Sequence, residues 1–217
     1  MIREKHHTQT KDKMKQLIIA THNAHKLQEI RQLLAGQPVE VLGLSDIGWS
    51  GEIVENGETF KENALIKAEA IYKATGRAVL ADDSGLTVEA MGGGPGVYSA
   101  RYMGEEVPYS TKNQAIIDLL ARVPESGRGA AFCCVMALVR PGRGRRPVKK
   151  TAEGKVEGRI AYRAAGGGGF GYDPIFYLPE RNCTMAELSA EEKNAISHRG
   201  RALKAILPEI LKWCQQS

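Results

Sequence analysis

The segment Leu80-Ala81-Asp82-Asp83-Ser84-Gly85-Leu86 sets two adjacent carboxylates, a hydroxyl and a glycine directly after the apolar run Ala78-Val79-Leu80-Ala81. Carboxylates beside a core strand are costly to bury unless something neutralises them. Neighbouring Asp residues at a strand end are a common way to hold a hard divalent cation or to steer a water. A turn accounts for the same letters, because Asp, Ser and Gly are turn residues.

Four other groups of residues carry potential chemistry. In Thr21-His22-Asn23-Ala24-His25-Lys26, a strand runs through a short polar turn into a helix. Backbone N–H groups and the positive end of that helix suit a phosphate, and Lys26 adds a point charge. An N-cap at Asn23 and a solvated Lys26 explain the same residues, and the Gly-rich run of a Walker loop is missing. Glu55 precedes the Asn56-Gly57 turn and lies outside the helix whose dipole accounts for Glu58 and Glu62. It is placed to meet Asp83 across a cleft and complete a magnesium site. Gly166-Gly167-Gly168-Gly169-Phe170-Gly171-Tyr172-Asp173-Pro174 puts five glycines in six positions, which suits neither a helix nor a strand interior. Such a run permits close approach to a flat ligand, with Phe170 as a stacking face and Asp173 as an acceptor. Lys193 and His198-Arg199 converge only if the helix breaks between them, and Ser197 is a suitable N-cap for a new helix. Otherwise they are solvated charges at helix ends.

The elements that position these residues follow from periodicity. Leu17 to Ala20 and Val39 to Leu42 read as short strands, with a helical stripe of Leu27, Ile30, Leu33 and Leu34 between them. Thr59 and Glu62 form a capping box for a helix from about Phe60 to Gly76. Val79 to Ala81 is a further strand, Thr111 to Ala121 a helix, and Ala131 to Val139 a central strand. Thr151 to Ala161 alternates weakly and is placed to pair with that strand. Ser189 and Glu192 form a second capping box, and a last helix is predicted from about Ser197 to Trp213. Pro208 inside it predicts a kink or an early end. The order implies an α/β fold with a mixed sheet.

The 217 residues suit one domain or one domain with two lobes. A hydrophobic content of 42% with 25% charge describes an ordinary globular chain, and no apolar run approaches membrane length. Met1 to Lys15 is polar, and residues 1–13 read as a disordered extension, with Met14 as an alternative start. Cys133, Cys134, Cys183 and Cys214 show no metal-site spacing and no disulfide framework, which fits a reduced, cytoplasmic setting. The net charge of +5 is concentrated in Met1 to Lys15 and in Arg140 to Lys155. The second run reads as a surface loop. No aromatics are interleaved for base stacking, so a polynucleotide site is the weaker reading of both.

Taken in order, the blocks Thr-x-Asn-x-x-Lys, Glu-x-Gly-x-Thr-Phe-x-Glu-Asn-Ala, Ala-Asp-Asp-Ser-Gly-Leu, Gly-x-Pro-Gly-x-Tyr-Ser-Ala-Arg, Gly-Phe-Gly-Tyr-Asp-Pro-Ile-Phe and Ser-His-Arg-Gly closely resemble the inosine/xanthosine triphosphate pyrophosphatase family. The resemblance spans about Gln16 to Leu211. It departs at the N-terminal extension, the basic run and the lengthened glycine stretch. It implies a two-lobed α/β fold over residues 14–217, with a long mixed sheet flanked by helices and a substrate cleft between the lobes. It also implies a homodimer and Mg²⁺-dependent hydrolysis of deaminated purine nucleoside triphosphates, namely ITP, dITP and XTP. On this resemblance Thr21, His22, Asn23, Ala24, His25 and Lys26 bind the triphosphate. Glu55 and Asp83 hold the metal, and Asp83 is also the proton acceptor. Ser84 contacts substrate, and Phe170, Gly171, Tyr172, Asp173, Lys193, His198 and Arg199 form the base pocket. Neither a membrane nor a specific nucleic acid is an expected partner. The rival readings are a Maf-like pyrophosphatase with pyrimidine or modified-base preference, whose opening Ser-x-Ser-Pro-Arg-Arg segment differs from Thr21 to Lys26, and a nucleic-acid-binding module resting on the basic runs.

Overall fold

The computed structural model describes residues 14–142, 144 and 146–216. The predicted extension over residues 1–13, together with Arg143 and Arg145 of the basic run, lies outside the described residues. The chain opens with a parallel β–α–β unit. Strands β1 (Lys15–Ile19) and β2 (Val39–Leu42) pair from Lys15↔Val39 to Ile18↔Leu42 and flank helix α1 (Ala24–Leu33). Asn23 caps α1, its Oδ1 accepting from the backbone N–H groups of His25 and Lys26 at 3.0 and 3.2 Å. Helix α2 (Phe60–Thr75) starts at the predicted Thr59–Glu62 capping box and stops at Gly76, which takes φ 66° in the left-handed region.

Strand β3 (Val79–Val88) lies beside β1 in parallel and beside β4 (Gly129–Arg140) in antiparallel register. It does not stop at Ala81. Asp82, Asp83, Ser84 and Gly85 pair with Met136, Val135, Cys134 and Cys133, so the carboxylates lie within a continuous strand and not in a turn. The long apolar β4 offers ladder partners throughout, and cations from three helices neutralise the carboxylates. Gly85 is required there, because a Cβ would sit 2.3 Å from the Gly96 carbonyl and 2.4 Å from Ser99 Oγ.

Helix α3 (Tyr109–Leu119) precedes β4. Strand β5 (Val148–Ile160) then returns antiparallel along β4, followed by β6 (Phe176–Leu178) and β7 (Cys183–Thr184). The seven strands lie in the order β2-β1-β3-β4-β5-β6-β7. The basic run is therefore largely strand. Strand β4 runs to Arg140 and β5 starts at Val148, and Lys149 and Lys150 on β5 face Glu69 at 2.6 Å and Glu209 at 3.8 Å.

Helices α4 (Ala190–Ile196) and α5 (His198–Cys214) meet at Ser197, which ends one and caps the other, its Oγ accepting from Gly200 N–H at 3.0 Å. Helix α5 continues past Pro208 to Cys214, so the early end that Pro208 predicts does not occur. Pro208 and Lys204 are both exposed, so the Lys204 carbonyl that loses its helical partner can turn to water.

Three cores position the cleft. One face of β1, β3 and β4 packs Leu17, Ile19, Leu80, Met136 and Leu138 against α1 and α5, and the opposite face packs Ile18, Val79, Ala81, Val135 and Ala137 against α2. A third core gathers Leu86 and Val88 of β3, Phe132, Val156, Phe176, Ile116 of α3 and Leu120 just past its end. Along β3, residues 79–81 serve the first lobe and 86–88 the second. Asp82 to Gly85 occupy the join. Among the described residues no helix is long and apolar enough to cross a membrane.

Candidate active site

A cleft of about 410 Å³ opens at that join. Because side chains alternate across a strand, Asp82 and Asp83 point to opposite faces of the sheet and belong to different charge clusters. Asp83 faces α2. There Lys67 Nζ lies 3.1 Å from Asp83 Oδ1 and 2.6 Å from Glu55 Oε2, so one ammonium ties the two carboxylates predicted to hold metal. The second Asp83 oxygen, Oδ2, is buried without a partner. Burial raises the Asp83 carboxyl above its ordinary value, and Lys67 only partly offsets it. Burial alone would lower the Lys67 value, but Asp83, Asp82 and Glu55 outweigh it, so the ammonium stays charged.

Asp82 faces α1 and α5 and is almost fully buried. Lys26 Nζ lies 3.0 Å and Arg199 Nε 3.3 Å from its Oδ2. Burial opposes ionisation there, but Lys26, Arg199 and Lys67 outweigh it and hold the carboxyl well below the usual range. Arg199 also donates to Ser84 Oγ at 3.0 Å and to Glu29 Oε2. Glu29 in turn accepts from Lys193 Nζ at 2.7 Å, and Lys193 reaches Asp173 Oδ2 at 2.6 Å. Charges alternate without a break from Asp173 through Lys193, Glu29, Arg199 and Asp82 to Lys26.

At the far end of the cleft, the Lys193 ammonium and the Arg199 guanidinium lie 4.7 and 5.6 Å from the centre of the Phe170 ring. His198 is buried and stacks on Phe132 at 4.8 Å. Burial, then Arg199 and Lys193, hold its imidazole well below the usual value, so it is neutral at pH 7. Its Nδ1 has no protein partner. The other walls include Ser99 and Arg101 on the loop before α3, and Tyr109 at the start of α3.

Of the residues singled out from sequence, Thr21, His22, Asn23, Lys26, Glu55, Asp83, Ser84, Phe170, Gly171, Tyr172, Asp173, Lys193, His198 and Arg199 line this one cleft. Ala24 and His25 do not. The first turn of α1 is also less free than its sequence implies. Thr21 Oγ1 accepts from Asn23 N–H at 3.1 Å, and Asn23 Oδ1 takes the N–H groups of His25 and Lys26. Asp173 is turned inward. Its Oδ2 accepts from Phe170 N–H at 2.8 Å as well as from Lys193, so it braces the pocket. Tyr172 likewise spends its hydroxyl on the Ser99 carbonyl at 2.8 Å.

Sequence reasoning missed Lys67, Asp82 as a separate centre, and Glu29. Lys67 left a signal: it shares the buried face of α2 with Ala64, Ala68 and Ile71, where a lysine needs a carboxylate. Glu29 left none, because it sits beside the apolar stripe of α1 as any solvated acid does.

Among the described residues no three His, Cys, Asp or Glu side chains converge as a metal cluster. Glu55 and Asp83 nevertheless fit Mg²⁺, which binds through one or two carboxylates completed by water and phosphate. Both converge on one cationic point, and Asp83 Oδ2 is a buried acceptor with nothing to accept.

Fold and cleft together define a two-lobed α/β protein whose ligand site has paired acids and lysines at one end and an aromatic ring flanked by cations at the other. The chain belongs to the Ham1 family, whose sequence profile matches residues 17–209. It is 49% identical over 193 residues to a dITP/XTP pyrophosphatase of Bacillus licheniformis, covering 89% of this chain and 96% of the relative. The dITP/XTP pyrophosphatase of Bacillus subtilis is 47% identical over 193 residues, with the same coverage. The solved HAM1 protein of Coxiella burnetii superposes with a TM-score of 0.80 at 41% identity, covering 92% of this chain and all of that one.

Proposed function

We propose that this protein hydrolyses ITP, dITP and XTP to the nucleoside monophosphate and pyrophosphate, with Mg²⁺ as its cofactor. The names of the relatives support the substrate class. The observation that carries the reading is the cleft itself. One continuous space joins Lys26, Lys67 and two metal-competent carboxylates to an aromatic face edged by Lys193 and Arg199. A triphosphate needs the first set and a purine base the second.

Lys26 and Lys67 meet the phosphate charge, and Glu55 and Asp83 hold Mg²⁺. When bound, the ion adds positive charge at the phosphate oxygens and makes nearby water more acidic. Asp83 takes the proton of the water that attacks the α-phosphorus, a role suited by a carboxyl whose burial raises its proton affinity. The base stacks on Phe170. Lys193 and Arg199 donate to the 6-carbonyl of hypoxanthine or xanthine, and the free Nδ1 of His198 is a further contact. Adenine presents an amino donor at that position, so donor faces donor, and unpaired buried groups discriminate by factors on the order of 10⁴. Residues 14–217 act as one domain, since all three cores share β3 and β4. A homodimer and a cytoplasmic setting belong to the same reading, the latter supported by four free cysteines.

Pyrophosphate release from ITP, XTP, GTP, ATP and a pyrimidine triphosphate, with and without Mg²⁺, tests the reading. Mg²⁺-dependent turnover of ITP and XTP well above the others is the expected result. Equal rates on ATP, or preference for the pyrimidine, overturns it.

A further inference from the structure

The backbone that carries Phe170 is held on one side, Phe170 N–H donating to Asp173 Oδ2 at 2.8 Å and Gly168 N–H to the Ala186 carbonyl at 2.9 Å, but the run between them has no side chains of its own to support the ring. Gly166, Gly169 and Gly171 all take positive φ, and no atom lies within 4 Å of where a Cβ on Gly167 would be. The ring also has space on two sides. It lines the 410 Å³ cleft and a separate cavity of about 240 Å³ between α1, α4 and the glycine run. Lys193 borders both spaces, whereas His25 borders the smaller cavity alone. The His25 imidazole stacks on Phe170 with ring centres 5.2 Å apart and planes 14° from parallel. His25 is itself anchored, because its backbone N–H is held by the Asn23 cap in the first turn of α1. The order across the pocket is thus cleft, Phe170, His25, with the imidazole on the side of the ring away from the cleft.

We infer that His25 is a positioning residue for base recognition: it buttresses Phe170 across the smaller cavity and ties the glycine run to the first turn of α1, and it does not bind phosphate. The inference rests on the reading of Phe170 as the platform for the base. Without a backing ring, the Phe170 side chain can rotate on its held backbone toward the smaller cavity, and the stacking face leaves the cleft. Substrates that share a purine ring should lose affinity together, because the buttress does not read the base edge.

The experiment is a double-mutant cycle on KM and kcat for ITP and ATP with His25→Ala, Phe170→Ala and the pair, together with His25→Phe. His25→Ala is expected to raise KM for both nucleotides by a similar factor, about two- to twelve-fold, the range an aromatic pair contributes. It should leave kcat and the ITP-to-ATP ratio in place. In the Phe170→Ala background the same change should add nothing. His25→Phe should restore KM, since it keeps the stack and discards any imidazole contact to phosphate. A His25→Phe variant as impaired as His25→Ala, or equal effects of His25→Ala with and without Phe170, overturns the inference while the platform stands. If Phe170→Ala leaves KM unchanged, the platform reading fails, and the buttress fails with it.

Discussion

At the scale of single residues, adjacent letters acquire different work because a strand sends neighbouring side chains to opposite faces. Asp82 and Asp83 each keep one buried oxygen without a partner, but Lys26 and Arg199 hold the Asp82 carboxyl well below the usual range, whereas burial gives Asp83 a raised proton affinity. Asp83→Asn should therefore lower kcat for ITP by about 10²–10⁴-fold, the usual contribution of a positioned base. The fold should be unchanged by circular dichroism, and near wild-type kcat at saturating Mg²⁺ would remove Asp83 from the mechanism. Lys67 is the second residue-scale test. Lys67→Met keeps the length of the side chain but leaves Glu55 and Asp83 facing each other without their shared cation. A loss in kcat/KM of about a hundredfold is expected, comparable to deleting one charge-stabilising donor. A variant that keeps wild-type kcat/KM places Lys67 outside the site.

At the scale of elements, the break at Ser197 decides whether the base pocket exists. Lys193 lies in the last turn of one helix while His198 and Arg199 begin the next, and the turn between them brings Lys193 and Arg199 to Phe170 and Glu29 and His198 into the same cleft. Ser197 is fully buried and caps α5 through Gly200 N–H. Ser197→Ala should cost about 1 kcal/mol in urea unfolding. It should also raise KM for ITP, because His198 and Arg199 occupy the turn that loses its cap. Unchanged stability would show that the break is held by packing alone. The break, the capping boxes and the strand–helix alternation were legible because each is written within a few neighbouring residues. The continuation of β3 through Asp82 to Gly85 was not, since turn letters there are overruled by a partner strand about fifty residues away.

At the scale of the whole molecule, Glu29 joins three helices by lying on α1 between Lys193 of α4 and Arg199 of α5. Burial would raise its pKa, but Arg199 and Lys193 outweigh that and hold it below its ordinary value of 4.5. A carboxyl depressed on folding contributes stability that is present above its unfolded pKa and lost as pH falls through the lower folded value. Wild type should therefore exceed Glu29→Gln by about 2 kcal/mol at pH 7, the scale of charged hydrogen bonds. The difference should shrink as pH drops below 4.5. Urea titrations of both proteins from pH 7 to pH 3 measure it. A gap that stays constant across that range would mean that Glu29 is not ionised in the folded protein.

By itself, the sequence determined the order of the first five strands and the helices, the caps, Ser197 as an N-cap and the motif series that marks the family, because all of these are local in the chain or countable along it. It also named fourteen residues that share one cleft. Only the tertiary structure decided what each of those residues meets. The link from Lys67 to Asp83 spans 16 positions, and that from Arg199 to Glu29 spans 170. Nothing in the local pattern of α1 distinguishes a buried Glu29 from a solvated one, or a His25 turned toward phosphate from one turned toward Phe170. The physical reason is that a charge or a ring is assigned its partner by the packing of distant elements, and that packing is settled by the three hydrophobic cores and not by the residues that do the chemistry.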